Sequence, residues 1–302
     1  MEKVLLNFIL LLTLIYFYRL TRHGIHMLQL ESYFISRYAK WMKKNLKKVI
    51  SIKAIVLLVI SSVLILINNE KTILAGLILE IIFLIFLSLT FKKEKEKKPL
   101  VVTARVKRMY ATYLILFAAL AVCANLLNYR IVLVVSNLCL ICSYLLVCVV
   151  NIINSPIENS IKMKFIIKAK NKLKEIPGLK VVGITGSYGK TSTKYVVNTI
   201  LSQKYNTLMT PESYNTTMGV VRTINEKLSP MHQLFICEMG AKNIGDIKEI
   251  TNIVKPTYGI LTAIGPQHLD TFKNLENVRK TKLELIDSLP DEEGIAFVNW
   301  ED

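Results

Sequence analysis

The rhythm of hydrophobic and polar positions changes once along this chain, at Pro177-Gly178. Before that point, apolar residues run almost unbroken through five stretches: roughly Val4 to Tyr18, Ile50 to Ile67, Thr72 to Phe91, Ala111 to Leu127 and Ile131 to Asn151. Each is long enough, or nearly so, to cross about 30 Å of hydrocarbon as a helix. The first is followed by Tyr18, Arg19 and Leu20 with no small-residue cleavage site, so it reads as a retained anchor. After Pro177-Gly178 short apolar runs alternate with helical periods. Strands are predicted at Lys180 to Thr185, Thr207 to Thr210, Leu234 to Glu238, Tyr258 to Thr262 and Gly294 to Asn299. Helices are predicted at about Gly189 to Ser202, Thr217 to Leu228, Asp246 to Lys255 and Glu276 to Ser288. Such alternation means βαβ units on a mainly parallel sheet, with ligands at the carboxyl ends of the strands. The expected architecture is a multi-pass α-helical membrane domain over 1–153, a linker over 154–178 and an α/β domain over 179–302.

Charge gives the apolar stretches a direction. Residues 1–153 hold 20 basic and 6 acidic residues, net +14, whereas the remainder holds 19 and 16, net +3. The segments Arg19 to Lys48 and Lys92 to Arg108 carry eight Lys/Arg each, while the turns Asn68 to Lys71 and Asn128 to Arg130 carry one each. By the positive-inside bias the two basic segments are cytoplasmic. Five spans then put the amino terminus outside the cell membrane and the α/β domain in the cytoplasm. Basic residues set between membrane stretches, with no basic stripe on a soluble face, also speak against nucleic acid as a partner. The five cysteines form no disulfide framework, and Cys139-x-x-Cys142 lies inside an apolar run with no second pair. Lys53 sits near the end of its stretch and can snorkel. Glu80 lies near mid-membrane, where a carboxyl group either serves a function or is a protonated, hydrogen-bonded packing residue. Residues 154–178 place six lysines among Ile, Met, Phe and Leu. This reads as a basic amphipathic linker lying on anionic headgroups or as a solvated connector.

The densest chemistry is VVGITGSYGKTSTK, a predicted strand running into Gly186-Ser187-Tyr188-Gly189-Lys190-Thr191-Ser192 and then a helix. Glycines at these positions let backbone N–H groups turn toward phosphate oxygens at a helix amino terminus. Lys190 can reach the β- and γ-phosphates of a nucleotide, and the Thr191 hydroxyl can ligate Mg²⁺. Ile184 stands where the common spacing has glycine, so the loop is a shorter TGxxGKT form in an α/β P-loop domain. Glu238, closing a hydrophobic strand before Met-Gly, is placed as a Mg²⁺ carboxylate opposite that loop or as a solvated strand-end acid.

ITGSYGKTSTK, ESYNTTMGV, CEMGAKNIGDI, PQHLDTF, RKTKLELI and IAFVNWED resemble, in order and spacing, the central ATPase domain of the Mur ligases. Within that family the likeness is greatest to the branch that adds D-alanyl-D-alanine to UDP-N-acetylmuramoyl-tripeptide. The resemblance covers about Leu179 to Asp302. It implies an ATP- and Mg²⁺-dependent amide ligase of peptidoglycan synthesis. Such an enzyme activates a UDP-linked or lipid-linked muropeptide-like carboxylate as an acyl phosphate for attack by an amine such as D-Ala-D-Ala. It also implies roles for single residues: His268 at a second metal ion, Lys282 as a carbamate ligand with Lys280 as its rival, Asn215 and Thr216 on the substrate side, and Asn299 at the adenine. Taken alone, Asn215 reads equally as a helix cap, Asn299 as a turn former, and both lysines as solvated helix residues. Two departures stand out: membrane stretches occupy the place of the family's UDP-sugar domain, and the sequence stops just past the strand carrying Asn299. These 302 residues alone are therefore expected to bind ATP without productive turnover. A ligase for another envelope polymer such as poly-γ-glutamate, or a non-catalytic nucleotide-binding membrane scaffold, remains open.

Overall fold

The structure is a computed structural model that describes residues 2–49, 52–67, 69–90, 98–126, 129–212 and 214–299. The Lys53 side chain, Lys92 to Lys97 of the second basic segment, and Ser213 lie outside the described residues. The chain divides into two compact units, residues 1–158 and 159–302.

The first unit is helical: α1 (Glu2–Leu30), α2 (Ile35–Lys44), α3 (Leu46–Val49), α4 (Ile52–Leu66), α5 (Glu70–Thr90), α6 (Ala104–Leu126), α7 (Tyr129–Ile141) and the first part of α8 (Ser143–Lys174). Small residues let these helices approach closely. A Cβ on Gly76 of α5 would meet Ile65 Cγ1 and Leu64 Cβ of α4 at 3.0 Å, and one on Gly24 of α1 would meet Val147 Cγ2 of α8 at 2.8 Å. Buried apolar residues such as Ile25, Leu58, Leu84, Met109 and Leu133 fill the core between them.

The first unit differs from the sequence reading at two places. Arg19 to Lys48, expected as a loop, is largely helical, because hydropathy marks where a segment leaves hydrocarbon and not where a helix ends. The stretch Ile131 to Asn151, expected as one span, is divided between α7 and α8 at Cys142. Among the described residues, two helices, Glu70–Leu89 and Ser143–Lys174, are long and apolar enough to cross a membrane. Ala54–Leu66 and Tyr129–Ile141 are shorter apolar helices. Glu80 is fully buried in α5, with the Asn137 amide of α7 as its polar neighbour. All five cysteines are free.

The second unit begins within α8. Residues 161–175 turn Ile166 and Ala169 inward to join a core with Val181, Val220, Phe235 and Ile250, so the apolar stripe of the basic segment has a protein partner. Lys164, Lys168 and Lys174 are exposed, Lys162 pairs with Glu249 at 2.6 Å, and Lys172 donates to Asn225 O at 3.0 Å. Five strands follow: β1 (Lys180–Thr185), β2 (Thr207–Met209), β3 (Leu234–Glu238), β4 (Tyr258–Leu261) and β5 (Ile295–Val298). They form one parallel sheet in the order β2-β3-β1-β4-β5. Between them lie α9 (Lys190–Leu201), α10 (Thr217–Lys227), α11 (Asp246–Val254), a short α12 (Leu269–Phe272) and α13 (Leu275–Leu283). The helix expected through Ser288 ends at Leu283, and a separate 3-10 turn covers Ile286–Ser288. Because β1 is central and flanked by β3 and β4, the carboxyl ends of these three strands open onto one rim. The polar segments that follow them, at 186–191, 238–241 and 262–268, meet there.

Candidate functional site

β1 delivers the chain into a tight loop that only glycine can make at two points. Gly189 has φ 78° and caps α9, and Gly186 has φ 150°. A Cβ on Gly186 would lie 2.0 Å from Thr262 Oγ1. The loop is tied to the segment after β4. Thr262 Oγ1 donates to Tyr188 O at 2.6 Å, Ser187 N donates to Ala263 O at 2.6 Å, and Ser187 Oγ exchanges hydrogen bonds with Gly265 O at 2.9 Å and Gly265 N at 3.0 Å. Ser187, expected to touch phosphate, therefore anchors the loop, since both its amide and its hydroxyl are engaged inside the protein. Ser192 stands exposed in the first turn of α9. Lys190 curls back so that its Nζ donates to Gly186 O at 2.7 Å and Ser187 O at 3.1 Å. Burial lowers the Lys190 pKa, with nearby Glu238 opposing the shift.

Glu238 closes β3 beside that loop with 1% of its side chain exposed. Its Oε1 accepts from Asn215 Nδ2 at 2.9 Å and Thr191 Oγ1 at 3.2 Å, and its backbone N–H donates to Thr210 Oγ1 at 3.0 Å. Its Oε2 lies 3.1 Å from Lys194 Nζ, a side chain with no exposure at all. The Lys194 ammonium also donates to the carbonyl of Glu212, whose backbone sits in the left-handed region at φ 42°. Sequence reasoning missed Lys194. A signal was present, because a residue four positions after Lys190 shares its helix face. The buried partner, Glu238, is far along the chain and shows only in the fold.

The expected substrate pair separates by role. Thr216 is the cap of α10, its Oγ1 accepting from Gly219 N at 3.3 Å. Asn215, which could have been that cap, reaches Glu238 instead and packs against Gly240, where a Cβ would meet Asn215 Cγ at 2.8 Å. Lys282 on α13 is 1% exposed with no hydrogen-bond partner on Nζ, whereas Lys280 faces solvent. Burial, and then the nearby Lys190 cation, lower the Lys282 pKa to about 8 against opposition from Asp246 and Glu284. His268 stands exposed at the start of α12 with φ 52°, and Asn299 is exposed just after β5.

Among the described residues no cluster of three His, Cys, Asp or Glu can hold a metal. A Mg²⁺ ion here would rest on mixed oxygen ligands, which suits its habit of using one or two carboxylates plus phosphate oxygens. The Thr191 hydroxyl beside Glu238 Oε1 fits that pattern, and the orphaned amine of Lys282 fits conversion to an anionic carbamate.

Residues 184–302 match the Mur ligase middle domain family. The chain is 37% identical over 119 residues to the UDP-N-acetylmuramoyl-tripeptide–D-alanyl-D-alanine ligase of a Synechocystis strain, covering 39% of this chain and 26% of that protein. It is 38% identical over 120 residues to the Escherichia coli ligase of the same description, covering 40% and 26%. The chain thus spans about a quarter of the length of these curated relatives. The solved MurF ligase of Thermotoga maritima in complex with ADP superposes on 47% of this chain and 32% of its own, with 32% identity and a TM-score of 0.44.

Proposed function

We infer, starting from the Mur ligase middle domain matched at 184–302, that this chain is an ATP-dependent amide ligase of peptidoglycan precursor synthesis. The observation that carries the reading is the pairing of Glu238 with Thr191 at the carboxyl ends of β3 and β1, directly beside Lys190 and the loop that bends at Gly186 and Gly189. Bound Mg²⁺ would neutralise charge developing on the phosphates. The chain's own residues do the rest. Lys190, released from the Gly186 and Ser187 carbonyls, places a cation on the terminal phosphates. Glu238 and Thr191 would present two oxygens to the metal, and Asn215 holds Glu238 Oε1 beside Thr191. Lys282, once carbamylated, changes from a cation that repels metal to an anion that binds it. By the family resemblance, His268 would serve a second metal ion and Asn299 the adenine.

The proposed reaction transfers the γ-phosphoryl group of ATP to a substrate carboxylate. An amine then attacks the acyl phosphate, forming an amide and releasing phosphate. The carboxylate is proposed to be a UDP-linked or lipid-linked muropeptide and the amine a dipeptide such as D-Ala-D-Ala, in keeping with the names of the similar ligases. We further propose that the first unit is a multi-pass domain of the cell membrane with its amino terminus outside and the ATP site in the cytoplasm. Support comes from eight basic residues in each of two segments against one in each of two turns, and from the two helices long enough to span.

Because these 302 residues alone are expected to bind ATP without productive turnover, the test is binding. ATP bound to the protein purified with its membrane helices should require Mg²⁺ and be held more tightly in the presence of UDP-N-acetylmuramoyl-tripeptide, measured by equilibrium titration. Binding indifferent to both Mg²⁺ and every muropeptide carboxylate would contradict the ligase reading.

A further inference from the structure

We propose that Lys194 sets metal selectivity at this site by restricting Glu238 to one available oxygen. The proposal rests on the nucleotide-site reading above and adds a residue that reading does not use. Lys194 and Glu238 are 0% and 1% exposed, and Nζ lies 3.1 Å from Oε2. A lysine almost never reaches that depth unless it is paired. Its position is fixed from a second side, because Nζ also donates to the Glu212 carbonyl, and Glu212 is held in a left-handed conformation. Oε2 is thus ion-paired to Lys194 without a hydrogen bond, while Oε1 accepts from Thr191 of the phosphate loop and from Asn215.

This asymmetry discriminates between hard cations. Mg²⁺ takes six oxygens in strict octahedral order and accepts a carboxylate through a single oxygen. Ca²⁺ takes six to eight and readily accepts both oxygens of one carboxylate. A glutamate whose second oxygen is held by a buried ammonium suits the first ion and denies the second its bidentate grip. A metal site built on Glu238 without Lys194 would lose this discrimination. Because the effect is a ratio of two divalent ions, removing a nearby positive charge, which favours both alike, cancels out of it.

The test is nucleotide binding to the full chain in detergent, followed with a fluorescent ATP analogue and titrated separately with MgCl₂ and CaCl₂. In Lys194→Met the preference for Mg²⁺ over Ca²⁺, taken as the ratio of half-saturating concentrations, should fall by about tenfold as a second oxygen becomes available. In a Glu238→Gln background the same substitution should leave the ratio unchanged. Lys194→Gln keeps a donor toward Glu212 and should show the same fall, so it serves if Lys194→Met does not fold, while the double variant, which leaves no unpaired buried charge, is the control. A residue that merely supported the fold would lower the thermal midpoint and leave the ratio alone, and a ratio within twofold of the unmodified protein would overturn the proposal. Absence of any metal-dependent nucleotide binding in the unmodified protein would instead overturn the nucleotide-site reading, and this proposal with it.

Discussion

Lys282 offers the sharpest perturbation, because its amine is buried without a partner and its pKa is lowered from 10.5 to about 8. Only a neutral amine captures CO₂. At pH 7.5 an amine of ordinary pKa is neutral in about 0.1% of molecules, whereas one at about 8 is neutral in roughly a quarter, a gain of about two hundredfold. Lys282 should therefore carry a carbamate at physiological bicarbonate. The same shift sets a pH dependence of stability. The unfolded chain holds this proton up to about pH 10.5 and the folded chain releases it near 8. Between these values the unfolded state binds more protons, and stability rises with pH. Below about 8 both states are protonated and the folded one bears the full cost, about 3 kcal/mol for a shift of this size. Without bicarbonate, Lys282→Met should accordingly be more heat-stable than the unmodified protein at pH 7, with the advantage shrinking toward pH 10. Purified protein equilibrated with ¹³C-bicarbonate should show a carbamate carbon signal that Lys282→Met lacks and Lys280→Ala keeps. No such signal, or a signal lost equally in both variants, would refute the reasoning.

Other expectations follow from single contacts. Gly186→Ala places a Cβ 2.0 Å from the Thr262 hydroxyl at φ 150°, so it should break the tie between the two loops and weaken ATP binding by at least about tenfold, measured by equilibrium titration. The Glu284 carboxylate accepts from Gly245 N at 2.9 Å and Lys248 N at 2.8 Å at the start of α11, so Glu284→Ala should cost about 1 to 2 kcal/mol in thermal or denaturant unfolding. Glu238→Gln should raise the Mg²⁺ concentration needed for nucleotide binding while leaving metal-free binding nearly unchanged. For the membrane proposal, an impermeant thiol reagent applied to intact cells should label a cysteine placed at Asn69 and miss one placed at Asn45; the reverse pattern would overturn the topology.

The parallel sheet was legible because β1 and β3 are apolar runs bounded by turn residues, and both strands begin and end where the pattern placed them. The phosphate loop was legible because its glycines and lysine are contiguous. What escaped was non-local. Lys194 pairs with a carboxylate on another strand, and the choice between Asn215 and Thr216 as helix cap turned on Glu238 offering Asn215 a better partner. Lys282 could have been preferred over Lys280 from spacing alone. Val278, Thr281, Lys282 and Leu285 recur at i, i+3, i+4 and i+7, the stripe of a buried face, and all four are buried. In the first unit hydropathy located the apolar stretches but not the helix ends. Charged residues such as Arg19 and Arg22 continue α1 for several turns beyond its apolar part.

Mg²⁺-dependent ATP binding by the full chain, compared between the unmodified protein and Lys190→Ala, tests the nucleotide site most directly. Lys190 would exchange two loop carbonyls for the polyphosphate, and losing a charge-assisted contact of that kind costs about 1.5 to 3 kcal/mol. Affinity should therefore fall by about ten- to a hundredfold in the variant. Equal affinity in the two proteins, or binding indifferent to Mg²⁺, would contradict a phosphate site at Gly186 to Thr191 and the ligase chemistry built on it.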